Sequence, residues 1–96
     1  MKIINGSNKF NYQLEDIEEF YEEEKRINGY RFELNLNVID KFYNMIIEFD
    51  IGNKSIYSIY VANQEGMNRD DIDNGYMYLM MLKEELTKHM KYILNL

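Results

Sequence analysis

Between Tyr30 and Val38 the chain alternates. Tyr30, Phe32, Leu34, Leu36 and Val38 share one face, and Arg31, Glu33, Asn35 and Asn37 share the other. A period of two predicts a half-buried β-strand. Ile39-Asp40-Lys41 then turns the chain, and Tyr43, Met45, Ile47, Phe49 and Ile51 form a second apolar face against Asn44, Glu48 and Asp50. Gly52-Asn53 marks a hairpin turn into a third strand, Ser55 to Ala62. That strand carries large residues on both faces, so its register is open. A two-residue loop pairs Phe49 with Ile56 and puts Tyr60 in the core; an odd-length loop matches Phe49 with Tyr57 and Ile47 with Ile59. The odd loop is favoured, because it buries Ile59 and Val61.

On either side of this meander the spacing changes to threes and fours. Over residues 13–27, Leu14, Ile17, Phe20, Tyr21 and Ile27 fall on one helical arc, with Glu15, Asp16, Glu18, Glu19, Glu22 and Glu23 opposite. Asn11 is the expected cap, Lys25 and Arg26 occupy the last turn, and Asn28-Gly29 is the expected left-handed stop. Glu24 alone lands among the apolar residues, where burial would raise its pKa. A second helix is expected from between Asp70 and Gly75 to about Leu94. Its buried stripe is Ile72, Tyr76, Leu79, Leu82, Leu86, Met90 and Ile93, and Met77, Met81 and Tyr92 lie opposite. Asp70, Asp71 and Asp73 suit its N-terminus, and Lys88, His89 and Lys91 its C-terminus. A short strand is expected at Ile3-Ile4, turned by Asn5-Gly6-Ser7-Asn8. The expected architecture is a single α+β domain over residues 1–96: a three-stranded antiparallel meander flanked by an N-terminal and a long C-terminal helix (α-β-β-β-α).

Composition narrows the function classes. The chain has 96 residues, 46% of them hydrophobic, enough for one core. It has no cysteine, which excludes disulfides, thiolate metal sites and a cysteine nucleophile. The N-terminus shows no signal-peptide pattern, and the longest apolar run, Tyr76 to Leu82, is seven residues. A membrane span needs about 20, so a cytoplasmic protein is expected. The net charge of −6 repels nucleic acid and anionic lipid and attracts basic surfaces. Helix–meander–helix order also occurs in double-stranded RNA-binding domains, but the acidic charge argues against that reading.

Catalytic chemistry is sparse. Ser7, Ser55, Ser58 and Thr87 lie in no nucleophile motif, and His89 is the one histidine. Asp71-Ile72-Asp73-Asn74-Gly75 fails as a calcium loop: its glycine comes one place early and Leu82 occupies the bidentate glutamate position. No catalytic residue, metal site or cofactor is expected.

The acidic run from Glu15 to Glu24 carries the most information. Seven of its ten residues are carboxylates, including the like-charge i,i+4 pairs Glu15–Glu19, Glu18–Glu22 and Glu19–Glu23, which burden a helix. The expected partner-binding set is Glu15, Asp16, Glu18, Glu19, Glu22 and Glu23, with Asp70, Asp71 and Asp73. A short, acidic, cysteine-free chain with helices around a three-stranded sheet resembles some phage anti-CRISPR proteins. That resemblance implies an inhibitor that presents carboxylates where DNA phosphates would sit in the positively charged channel of an effector nuclease. Two alternatives stand beside it: an immunity or antitoxin-like protein capping a basic toxin nuclease, and a homodimeric structural module.

Overall fold

The computed structural model describes residues 10–38 and 41–96, apart from the side chains of Phe10 and Asp16. The strand expected at Ile3-Ile4 and most of the turn at Ile39-Asp40 lie outside the described residues. Among the described residues four strands follow one another: β1 (Phe10–Glu22), β2 (Ile27–Val38), β3 (Lys41–Asp50) and β4 (Ser55–Val61). They form one antiparallel sheet in the order β1-β2-β3-β4, and α1 (Arg69–Leu94) follows.

The meander of three strands is therefore present, but the expected N-terminal helix is not. Its residues belong to a fourth strand. Tyr12 and Leu14 pair with Leu36 and Leu34 and are fully buried. Between Glu15, which faces Glu33, and Glu18, which faces Arg31, β1 holds two residues against the single Phe32. This bulge shifts the alternation by one position and brings Ile17 against the core. A bulged strand thus produces the spacing Leu14-to-Ile17, a step of three that imitates a helix. The like-charge pairs that would burden a helix are relieved in the strand, where Glu15 and Glu19 point to opposite faces.

The expected helix landmarks fall elsewhere too. Asn11 is a strand residue opposite Asn37, and Glu24 is an exposed turn residue with no place in the core. Gly29 lies inside β2 and is no helix stop. Its requirement is space: a Cβ there would sit 1.9 Å from the Phe49 carbonyl oxygen and 2.6 Å from the Phe20 ring.

The β1–β2 and β3–β4 hairpins use the same kind of loop. Residues 23–26 join β1 to β2, and residues 51–54 join β3 to β4. In each, the fourth residue returns a backbone bond to the first, Arg26 to Glu23 and Lys54 to Ile51, both at 3.3 Å. Arg26 and Lys54 each adopt φ of 53°, the left-handed region. Asp50 fastens the second loop by accepting bonds from the backbone and side chain of Asn53.

The register of β4 combines the two expectations. Phe49 faces Ile56, as the even loop requires, and Ile47 faces Ile59, as the odd loop requires. A bulge at Tyr57 absorbs the difference, so Ile56, Ile59 and Val61 all pack against the core. Tyr60 stays exposed.

Helix α1 closes one face of the sheet. Asn68 caps it in a reciprocal box with Asp71, and Asn95 ends it in the left-handed conformation. Leu79, Leu82, Leu86 and Met90 are buried; Ile72, Tyr76 and Ile93 are half-buried; Met77, Met81 and Tyr92 face solvent. Gly75 lets the helix approach β3, since a Cβ there would lie 2.9 Å from the Tyr43 ring. No helix among the described residues is long and apolar enough to cross a membrane.

Candidate functional site

Among the described residues the helix covers one face of the sheet and no element covers the other, the open face. Alternation assigns that open face to the polar positions of each strand, and cross-strand register arranges them in rows. One row runs Glu18, Arg31, Glu48, Ser58; the next runs Glu15, Glu33, Ile46, Tyr60. Arg31 sits centrally, with Nη1 2.7 Å from Glu18 and Nη2 2.8 Å from Glu48. Its bonds to Glu48 and then to Glu18 push the guanidinium pKa upward, so it stays charged. One cation thus serves two carboxylates, and Glu15 and Glu33 are the other two carboxylates of these rows.

Glu15 and Glu33 stand directly opposite each other, an arrangement that destabilises a sheet when unrelieved. Two asparagines relieve it. Asn44 donates to Glu33 at 2.6 Å and to Asn35 at 2.8 Å, and Asn35 donates to Glu15 at 3.4 Å. The acidic face is therefore held in place by a connected polar network.

At the hairpin end the same face becomes aromatic. Phe20 lies over Gly29, filling the space that a side chain would take, and stacks with Tyr57 from the far strand at 6.4 Å between ring centroids. The Arg31 guanidinium and the Lys25 ammonium each sit 5.6 Å from a ring centroid, over Phe20 and Tyr57 respectively. Two aromatic rings, one from β1 and one from β4, bridge the sheet. The bulge at Tyr57 and the small residue at Gly29 make that bridge possible.

The expected binding residues are redistributed. Glu15, Glu18 and Glu22 lie on the open face. Glu19 points to the helix side of the sheet, where Tyr30 donates to it at 3.4 Å. Glu22 accepts the Lys25 backbone N–H, and Glu23 lies in the turn. Asp16 sits at the bulge, its side chain outside the described set. Asp70, Asp71 and Asp73 lie at the opposite end of the sheet from the β1–β2 turn and do not join the acidic face. Asp71 is a capping residue, and Lys41 at 3.2 Å holds its carboxyl below the usual carboxylate range, helped by the Asn68 backbone. Glu33, Glu48, Asn35 and Asn44 were missed as site residues. Their alternation placed them on an outer strand face, but assigning residues 13–27 to a helix separated them from Glu15 and Glu18.

One cluster combines acid and base chemistry. The buried hydroxyl of Tyr12 meets Nδ1 of His89 and donates to Glu85 at 3.3 Å. Burial, and then the Glu85 charge, push the Tyr12 pKa strongly upward. The hydroxyl proton goes to Glu85 when His89 Nδ1 carries its own. Its place beneath α1 makes this cluster a clamp between helix and sheet. Among the described residues no group of three or more His, Asp or Glu side chains is placed to hold a metal ion.

No protein-family model, no curated protein and no solved structure matches the chain.

Proposed function

We propose that this protein acts by binding, and that its open sheet face docks on a basic surface of a protein partner in the cytoplasm. The observation that carries this reading is the charge of that face among the described residues: Glu15, Glu18, Glu22, Glu33 and Glu48 against the cations Arg31 and Lys25, on the side of the sheet that α1 leaves uncovered. Natural sheets commonly leave one face solvated, but mixed charge would serve solubility alone. A carboxylate array fixed by Asn35, Asn44 and Arg31 loses little conformational freedom on binding. The partner chemistry that fits is a nucleic-acid-binding protein whose phosphate groove the carboxylates occupy, so the function is inhibition by mimicry of a nucleic acid. The Phe20–Tyr57 bridge adds an apolar anchor at one end of the charged area.

The test separates faces of one strand. The partner is captured from cell extract on the immobilised chain, purified, and titrated at two salt concentrations. Glu15→Lys, Glu18→Lys and Glu22→Lys together should weaken binding at least about tenfold and flatten its salt dependence. Glu19→Lys, on the opposite face of β1, should leave affinity unchanged. If the triple variant binds as tightly as wild type with its fold intact by circular dichroism, the reading is wrong.

A further inference from the structure

The outward face of α1 is self-complementary. Advancing about 100° per residue, Asp70, Asp73, Met77, Met80, Met81, Glu84, Lys88 and Lys91 fall on the arc away from the sheet, and the three methionines are 50%, 59% and 65% exposed. Two aspartates occupy the start of this arc, three methionines and Glu84 its middle and two lysines its end. The pairs Asp70 with Lys91, Asp73 with Lys88, Met77 with Glu84 and Met80 with Met81 share one midpoint, between residues 80 and 81.

We infer that two copies of this chain pair through this face, helix against antiparallel helix, about a two-fold axis near Met80 and Met81. A two-fold axis requires each surface to complement itself. About this midpoint, Asp70 and Asp73 of one copy meet Lys91 and Lys88 of the other, and methionine meets methionine at the centre. Antiparallel helices also bring each N-terminal dipole beside the other's C-terminal end. Within one chain Lys88 reaches Glu84 only at 3.9 Å, with both side chains largely exposed, so it has donors left for Asp73 of the second copy. Methionine suits a surface that alternates between solvent and a partner, because its unbranched side chain repacks readily. The contact runs along one helix pair and is smaller than the standard interface of about 1,600 Å², so a dissociation constant of about micromolar order is expected. The pairing does not depend on the reading of the sheet face; it leaves both open faces outward, on opposite sides of the dimer.

The experiment is sedimentation velocity with two charge-reversed variants, one carrying Lys88→Glu and Lys91→Glu, the other Asp70→Lys and Asp73→Lys. Each alone should be monomeric wherever wild type is dimeric, because the 70–91 and 73–88 cross-pairs become repulsive. Mixed in equal amounts they should form a heterodimer, because those cross-pairs are then attractive. The cysteine-free chain allows a second readout that does not depend on those variants folding: Met80→Cys should cross-link to a dimer on mild oxidation, and Tyr60→Cys on the sheet should not. Wild type that stays monomeric to about 1 mM, a mixture that fails to associate, or equal cross-linking at both positions would overturn the proposal.

Discussion

The two faces of this sheet are built from the same strands and differ in almost everything else. On the helix side, Phe32, Leu34, Leu36, Met45, Ile47 and Phe49 have no exposed surface, and the stabilisation comes from apolar area removed from water. On the open side, order comes from fixed polar geometry: Arg31 between Glu18 and Glu48, and the asparagine bridge between Glu15 and Glu33. The closed face is specified by volume, because any hydrophobic group of the right size gains the same burial. The open face is specified by donor and acceptor positions. Such a face contributes little to stability, and its sequence is the one that a binding role can shape.

Substitutions on the two faces should separate these two modes. The largest loss is expected for Phe49→Ala, about 3–5 kcal/mol by chemical denaturation, whereas Tyr60→Ala on the open face should lose less than about 1 kcal/mol. A large loss at Tyr60 would mean that the open face is also load-supporting.

Glycines on the two faces sharpen the point. Gly29→Ala forces a Cβ against the backbone oxygen of Phe49 and into the Phe20 ring, and should cost about 3 kcal/mol or more, the upper range for overpacking. Gly75→Ala approaches the Tyr43 ring at 2.9 Å and the Met45 methyl at 3.2 Å, side chains rather than backbone, and gains about 1 kcal/mol of helix propensity. It should therefore cost far less. Equal losses at the two glycines would contradict this account.

The helix clamp is expected to show in alkaline solution. Tyr12 has a raised folded pKa, so the folded state keeps its phenolic proton when the unfolded chain has lost it. Its stabilisation is complete below the ordinary tyrosine value of about 10 and declines as pH rises above it. Denaturation midpoints measured from about pH 9 to 11 should fall with pH, and Tyr12→Phe should flatten that fall.

The smallest effect is expected in the hairpin loops. Arg26→Gly and Lys54→Gly remove left-handed strain at each fourth loop position, worth about 1 kcal/mol, and add unfolded-state entropy of similar size. Each variant should stay within about 0.5 kcal/mol of wild type by thermal melting.

Several elements were legible from pattern alone. β2 and β3 follow directly from strict alternation, and α1 from its long run of threes and fours, because in both cases one uninterrupted period spans the element. The open-face character of Arg31, Glu33, Asn35 and Glu48 was legible in the same way. The two failures share a cause. In β1 the bulge after Glu15, and in β4 the bulge at Tyr57, each insert one residue into the pairing. A period-two pattern with one insertion contains a step of three, and a reader of pattern alone assigns it to a helix or leaves the register open.

The amino-acid sequence by itself determined which strand residues are apolar, how charge is distributed along the chain, and that α1 ends near Leu94; its start at Arg69 and its Asn68 cap came from the structure. Local spacing suffices for the first three. Only the tertiary structure decided that residues 10–22 pair as a strand, that Glu15 and Glu18 join Glu33 and Glu48 on one face, and that Asp70, Asp71 and Asp73 do not. Strand pairing is a non-local choice: β1 gains its partner bonds from β2, and its bulge exists only as two residues set against the single Phe32 of that strand. No property of residues 10–22 alone contains that information.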